Sequence, residues 1–167
     1  MASKKTASRA ARVKGFRRVV VKGLKKLSPR LTNVLKQLIA HQYPEEFWQL
    51  DFEVHEFRYG FPVVVYFYCE GFDQVMDGEK RGKPYPFKAA AAMKKVGRVY
   101  LASDEKKFRV DEDEYWFEDE AAKELIPWFQ KCWAAAGGKK FKHRARLAGH
   151  DAAKRLDLVT GKWTRDG

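Results

Sequence analysis

The histidines are the residues whose spacing would most directly reveal a metal site. They are His41, His55, His143 and His150, and none of them forms a His-x-x-x-His pair or accompanies a Cys-x-x-Cys pair. Protein zinc sites commonly draw two of their ligands from such short spacings. The sequence therefore predicts no metal ligand and no cofactor.

The cysteines are the candidate nucleophiles. Cys69 follows two tyrosines and a phenylalanine, and Cys132 precedes Trp133. Apolar neighbours favour buried, reduced thiols over reactive ones. The chain also lacks a Gly-x-Ser-x-Gly elbow and a phosphate-binding loop. We therefore expect no catalytic residue and no enzymatic activity, although pairing of a cysteine with a distant histidine stays open.

A run of acidic and aromatic residues is the first candidate binding surface. Seven of the ten residues from 111 to 120 are acidic and three are aromatic. Negative charge beside aromatic anchors suits a basic protein partner. A second interpretation is that the acids complement the dipole at the start of a helix and that the aromatics belong to the core. The position of the acids, just before the predicted long helix, favours this second interpretation. The predicted protein-binding residues are Asp111, Glu112, Asp113, Glu114, Tyr115 and Trp116.

The basic N-terminal segment is the second candidate. Residues 1–44 contain 12 lysines or arginines and no acid. Such a segment could neutralise nucleic-acid phosphates, contact an anionic lipid surface, or only improve solubility. The predicted polyanion-binding residues are Lys4, Lys5, Arg9, Arg12, Lys14, Arg17, Arg18, Lys22, Lys25 and Lys26.

Composition indicates one globular domain. The chain has 167 residues, of which 45% are hydrophobic and 14% aromatic, enough for a real core. The net charge of +12 comes from residues 1–44, because the basic and acidic residues of 45–167 are equal in number. No apolar run approaches 18 residues, so we expect no transmembrane segment. The start of the chain has no apolar signal region, so we expect a cytoplasmic protein.

The sequence predicts that the chain divides into a basic arm and a folded domain that begins with the first helix. Residues 1–27 are predicted to be a basic arm, of which residues 1–14 are disordered. Residues 15–27 are expected to form either an amphipathic helix or, at Val19–Val21, a short strand. Ser28 and Pro29 predict the start of a helix that ends near Tyr43. Residues 28–167 are then a single domain.

Apolar alternation predicts the strands. Leu50–Val54 and Val63–Cys69 should form a hairpin, and further strands are expected at 98–102, 107–110, 141–148 and 155–159. A short helix is expected around residues 89–93, and a long one within Asp119–Ala136. The predicted class is α+β, an antiparallel sheet of about six strands packed with two main helices and preceded by the basic arm.

The C-terminal third resembles small bacterial immunity proteins of polymorphic or contact-dependent toxin systems. The resemblance lies in the spacing of apolar and turn residues, namely Trp128-Phe129, Cys132-Trp133, Ala136-Gly137-Gly138, Gly149-His150-Asp151, Leu156-Asp157-Leu158, Thr160-Gly161 and Trp163. The resemblance implies a cytoplasmic, non-enzymatic protein that neutralises a toxin by stoichiometric binding. It carries over no functional residue. The alternative is a nucleic-acid-associated protein that acts through residues 1–44.

Overall fold

The computed structural model describes residues 8–70, 85–86, 93–110 and 116–165, apart from the side chain of Tyr59. Among these residues, three α-helices and one five-stranded sheet form an α+β fold, as predicted. The helices are α1 (Arg9–Ala40), α2 (Ala102–Phe108) and α3 (Trp116–Ala135). The strands are β1 (Phe47–Val54), β2 (Val63–Cys69), β3 (Arg144–Gly149), β4 (Lys154–Asp157) and β5 (Trp163–Arg165).

Helix α1 is longer than its sequence signals predict. It has 32 residues and begins after Ser8, whose side chain accepts a hydrogen bond from the Ala11 N–H at 3.3 Å. The predicted start at Ser28 is wrong, and so is the strand alternative at Val19–Val21. One buried stripe runs through the whole helix and consists of Phe16, Val20, Leu24, Leu27, Leu31, Val34, Leu35 and Leu38.

Pro29 lies inside α1 and does not end it. An interior proline costs a helix about 3 kcal/mol, because it removes an N–H donor and crowds the preceding turn. Burial of each large apolar side chain contributes about 1.5–3 kcal/mol, so the stripe on both sides of Pro29 outweighs that loss. The boundary drawn between residues 27 and 28 therefore falls inside a single packed helix.

Ser28 connects two helices instead of capping one. Its hydroxyl donates to the Leu24 carbonyl oxygen at 3.2 Å and accepts from the Trp128 indole Nε1 at 2.8 Å. Trp128 belongs to α3, so this polar bridge joins the middle of α1 to α3. The Ser28 hydroxyl, which the sequence suggested as an N-cap, therefore makes its hydrogen bonds inside α1 and to α3 instead.

The sheet is mixed, with strand order β2-β1-β3-β4-β5. The predicted hairpin of β1 and β2 is confirmed, with Val54 opposite Val63. Strands β1 and β3 are parallel, so the prediction of a wholly antiparallel sheet is wrong at this one pair, and the described residues contain five strands where about six were predicted. Strand β3 is antiparallel to β2, and the chain between them, which includes α2 and α3, re-enters the sheet beside β1 on the side away from β2.

Helix α2 occupies residues for which strands were predicted. The expected strands at 98–102 and 107–110 are wrong, because the Asp104 carboxylate organises a helical turn. It accepts from the Leu101 N–H at 3.0 Å and pairs with the Lys107 ammonium at 2.9 Å. These local hydrogen bonds favour a helix start over an extended strand.

Helix α3 packs on the sheet and confirms the predicted long helix. The Phe52 ring of β1 lies 5.1 Å from the Phe129 ring and 5.8 Å from the Trp133 ring. Pro127 lies inside α3, as Pro29 does inside α1. The short helix expected around residues 89–93 lies outside the described residues except for Met93, which is buried.

Gly23 is the point of closest approach between α1 and the segment before α2. A Cβ atom at this position would overlap the carbonyl oxygen of Val99. A backbone group cannot swing away as a flexible side chain can. Glycine is therefore required here by packing, although it is a poor helix former.

We expect Gly23→Ala to lower the free energy of unfolding by about 1–3 kcal/mol, because the overlap forces α1 away from Val99. Asn33→Ala is the matched control, since Asn33 is exposed on the same helix and the change should be neutral or slightly stabilising. Urea unfolding measures both. A Gly23→Ala protein as stable as the Asn33→Ala protein would show that the close approach does not constrain the fold.

Candidate functional site

The outward face of α1 carries a row of exposed cations. Lys14, Arg18, Lys22 and Lys25 are separated by four, four and three positions, so they share one side of the helix. All four are exposed, and they lie opposite the buried stripe. We call these four residues the basic face. Because α1 is one continuous helix, it holds the four charges in a fixed line.

The remaining predicted polyanion-binding residues divide into three groups. Arg9 and Lys26 are exposed, whereas Lys4 and Lys5 lie outside the described residues. Two other arginines make contacts within the protein. The Arg12 guanidinium donates to the Phe108 carbonyl oxygen at 2.9 Å, and the Arg17 guanidinium pairs with the Glu120 carboxylate at 2.6 Å. These two join α1 to its neighbours.

Trp116 is the only described member of the predicted protein-binding run, since 111–115 lie outside the described residues. Its half-buried ring stacks on Phe117 at 4.0 Å and meets the Phe16 ring edge-on at 5.7 Å. Phe16 and Phe117 are both buried in the core. These contacts are those of a packing residue. A role for Trp116 as a partner anchor stays a prediction.

The face of the sheet opposite the helices is polar and has Asp51 at its centre. The Asp51 side chain is only 3% exposed, and its carboxylate lies 3.2 Å from Arg146 and 3.3 Å from Arg155. Parallel pairing puts Asp51 directly opposite Arg146. Burial raises the pKa of Asp51, and the two guanidiniums counteract part of that rise. Three strands of the sheet, β1, β3 and β4, are thus joined by a buried carboxylate.

Aromatic side chains surround this carboxylate. Tyr66 is opposite Asp51 and Tyr68 is opposite Gln49 in the β1–β2 pairing. Burial raises the pKa of both tyrosines, so they stay neutral at physiological pH. The Arg144 guanidinium lies over the Trp48 ring, 4.7 Å from its centroid. The polar sheet face therefore combines arginine, tyrosine and tryptophan.

One end of the polar sheet face brings together Glu53, His55 and His150. The Glu53 carboxylate oxygen Oε2 lies 3.5 Å from His55 Nε2 and 3.4 Å from His150 Nδ1. The two imidazole rings are 4.7 Å apart between centroids. One ligand atom from each residue lies within 4.8 Å of the other two. We call these three residues the His–Glu cluster.

Parallel strand pairing assembles the His–Glu cluster from distant residues. Val54 pairs with Gly149, and each is followed directly by a histidine. The His150 N–H donates to the Val54 carbonyl oxygen at 3.0 Å, which holds the two strand ends together. Short-range spacing could not reveal this cluster. The available signal was a histidine at the end of each of two strands, which requires knowing that the strands are parallel.

The remaining two histidines and the two cysteines lie outside the His–Glu cluster. The His41 and His143 rings lie 4.8 and 5.9 Å from the Tyr43 ring. Both cysteines are free thiols. Cys132 is buried, and burial raises its pKa. Cys69 is half-buried and its Sγ lies 3.3 Å from the Tyr85 hydroxyl, so the expectation of burial holds fully only for Cys132.

No protein-family model, no curated protein and no solved structure matches the chain. None of the helices in the described part of the chain combines the length and apolar character needed to cross a membrane. The basic face, the polar sheet face and the His–Glu cluster are therefore the features of the molecule from which a function can be inferred.

We expect Trp116→Ala to lower the free energy of unfolding by about 2 kcal/mol or more, because it removes a ring that packs on Phe16 and Phe117. Thermal unfolding checks this. Trp163→Ala is the control, since Trp163 is 53% exposed and its loss should be nearly neutral. Equal melting temperatures for the two variants would mean that the Trp116 contacts add nothing to stability.

Asp51 and Asp104 should respond to pH in opposite directions. Because burial raises the Asp51 pKa, its contribution to stability is fully present below the ordinary aspartate value of 3.8 and is lost as pH rises through the raised pKa. The Leu101 N–H and the Lys107 ammonium lower the Asp104 pKa, so its contribution is present above 3.8 and decreases as pH falls.

Urea unfolding between about pH 3 and pH 7 tests this with Asp51→Asn and Asp104→Asn. The stability advantage of the wild type over Asp51→Asn should shrink as pH rises, and its advantage over Asp104→Asn should grow. An advantage over Asp51→Asn that grows with pH would show that Arg146 and Arg155 outweigh the burial of the carboxylate.

Proposed function

We propose that this protein binds the phosphate backbone of nucleic acids through the basic face of α1. The single observation that carries the proposal is the alignment of Lys14, Arg18, Lys22 and Lys25 along one exposed side of a packed helix. Sequence-independent binding to nucleic acids comes mainly from such cations, which replace the counterions around phosphates.

The surroundings of the basic face support this proposal. No acidic residue occurs between residues 8 and 44, so nothing within α1 neutralises the row. The acids that reach α1 from α3 are Glu120 and Glu124, and both pair with Arg17. Arg17 sits beside the row and not in it. Within the described part of the chain, no acid pairs with the four cations of the basic face, so they are available to an external anion.

The dimensions of the basic face also suit a phosphate backbone. A helix rises 1.5 Å per residue, so Lys14 and Lys25 are about 16 Å apart along α1. Successive phosphates of one DNA strand advance about 3.4 Å along the duplex axis, so four or five phosphates occupy that length. Val21 lies among the cations and is 48% exposed, and the basic face itself contains no aromatic ring for base stacking. Binding should therefore be non-specific in sequence.

A charge-neutralised variant tests the proposal. We expect Lys14→Gln/Arg18→Gln/Lys22→Gln/Lys25→Gln to abolish most binding to a fluorescein-labelled DNA duplex, measured by anisotropy between about 50 and 200 mM salt. Four phosphate contacts correspond to a slope of about −3.6 in log K against log salt for the wild type. The variant should show a slope closer to zero by about that amount.

The matched control removes four exposed lysines from other elements. Lys131, Lys139, Lys142 and Lys154 are exposed and outside α1. Their simultaneous change to Gln lowers the net charge as much but should leave most binding in place. Equal losses in the two variants would indicate a net-charge effect. Binding only to vesicles of anionic lipid would reject the nucleic-acid proposal in favour of a membrane surface.

Stoichiometric inhibition of a bacterial toxin is the second candidate, and the polar sheet face favours it. Tryptophan, tyrosine and arginine are enriched at the energetic centres of protein interfaces, and this face offers Trp48, Tyr68 and Arg144. The resemblance of the C-terminal third to immunity proteins points in the same direction. On this hypothesis the protein is a non-enzymatic inhibitor.

Co-expression with toxin domains tests the second candidate. A toxin domain that arrests growth of a bacterial host should be neutralised by the wild-type chain and less well by Trp48→Ala/Tyr68→Ala. The basic-face variant should still protect. Protection that is lost with the basic-face variant and kept with Trp48→Ala/Tyr68→Ala would assign inhibition to α1 instead.

A further inference from the structure

We propose that the His–Glu cluster is a binding site for a divalent transition-metal ion of the Zn²⁺ type. The ligands are Glu53 Oε2, His55 Nε2 and His150 Nδ1. Two imidazoles and one carboxylate form a ligand set that suits Zn²⁺, which accepts nitrogen and oxygen donors. The site lies where the interior strands β1 and β3 end and does not involve α1, so it is independent of nucleic-acid binding.

Two of the three distances between ligand atoms in the cluster match the edges of a coordination tetrahedron. Ligand atoms about 2.0–2.2 Å from a central Zn²⁺ are about 3.3–3.6 Å from one another in tetrahedral geometry. Glu53 Oε2 lies 3.5 Å from His55 Nε2 and 3.4 Å from His150 Nδ1. Two of the three ligand–ligand edges therefore already have the length that a bound ion requires.

The backbone around the cluster fixes the ligands before any ion arrives. Glu53 and Val54 end β1, and the hydrogen bond from the His150 N–H to the Val54 carbonyl oxygen locks the β3 end beside them. Asp151 adopts a left-handed conformation at φ 59°, which turns the chain directly after His150. A site held by two paired strands loses little conformational entropy on binding.

Charged groups of the kind found around metal ligands surround the cluster. The Asp151 carboxylate lies 3.6 Å from His150 Nε2, the nitrogen that faces away from Glu53. The Arg155 guanidinium lies 3.8 Å from Glu53 Oε1, the oxygen that is not shared with the histidines. Such partners orient the ligands and select the imidazole nitrogen that meets the metal.

The cluster leaves room for a fourth ligand. His150 is 59% exposed, so solvent reaches the cluster from its side. The Tyr66 hydroxyl lies 3.4 Å from His55 Nε2, the nitrogen that also faces the Glu53 oxygen at 3.5 Å. A water molecule could complete the tetrahedron and donate a hydrogen bond to that hydroxyl. Three protein ligands and one exchangeable position are typical of zinc sites that are not purely structural.

Charge attraction alone gives a competing explanation of the same contacts. A protonated histidine would pair with Glu53 without any metal, and the cluster would then be a surface ion pair worth little. The two explanations differ in what happens when Zn²⁺ is added at neutral pH. Only a metal site predicts saturable binding of one ion per chain that depends on all three residues.

Calorimetric titration of the full chain with ZnCl₂ tests the proposal, using protein without a histidine tag that has been treated with a chelator. We expect one Zn²⁺ per chain and a higher melting temperature in its presence. Substitution with Co²⁺ should give visible absorption bands of a four-coordinate ion. Absence of binding with a stoichiometry of one would overturn the site.

Two single variants identify the ligands. His150→Ala and Glu53→Gln should each weaken Zn²⁺ binding more than about 100-fold, since even loss of an outer-shell partner costs 10- to 100-fold. Both should keep the circular dichroism spectrum of the metal-free wild type, because His150 is exposed and glutamine matches glutamate in shape. If Glu53→Gln binds as the wild type does, the assigned ligand set is wrong.

The matched control is His41→Gln, which removes a histidine outside the cluster. It should bind Zn²⁺ with unchanged affinity and stoichiometry. Equal weakening in His41→Gln and His150→Ala would show adventitious binding to surface histidines and would overturn the proposal. Weakening confined to the cluster variants supports it.

Discussion

The parallel pairing of β1 with β3 is the contact on which the polar side of the molecule depends. It sets Asp51 beside Arg146 and brings the ends of the two strands to one edge of the sheet. A slip of one residue in this pairing would move every side chain to the opposite face. The Asp51 carboxylate would then meet the apolar core, where an ionised group is very unfavourable. The buried ion pair and the register thus require each other.

On the other side of the sheet, Phe16 has the corresponding role for α1. Its ring meets those of Tyr100 and Phe117 at 5.0 Å, of Trp116 at 5.7 Å and of Phe108 at 6.1 Å, all edge-on. Aromatic pairs favour this geometry. The four rings belong to α2, α3 and the segment before α2, so one side chain fixes the first half of α1 against three parts of the chain.

Elements with strong periodicity were predictable from sequence, and those that depend on distant contacts were not. The apolar run at β2 and the apolar face of α3 predicted a strand and a helix correctly. Ser28 and Pro29 predicted a helix start at a point where burial on both sides carries α1 through. The predicted helix start rested on local propensity, whereas the observed start of α1 at Arg9 depends on the burial of Phe16 and Leu24.

The candidate sites divide in the same way. Residues such as Lys14 and Arg18 were identified from charge alone, because a basic segment is visible in any sequence. Their separation from Arg12 and Arg17, which bind other parts of the protein, required the fold. The His–Glu cluster was missed because its members lie at the ends of β1 and β3, and no local pattern in the sequence shows that these two strands pair in parallel.

The cation row has a consequence for α1 itself. Lys14 and Arg18, and Arg18 and Lys22, are like charges four positions apart, and each such pair destabilises a helix by about 0.2–0.5 kcal/mol. The helix is therefore held together by its buried side against repulsion on its outer side. Any polyanion that neutralises the row also relieves this repulsion. Binding and folding of α1 are thereby thermodynamically linked, and a ligand would stiffen the helix that recognises it.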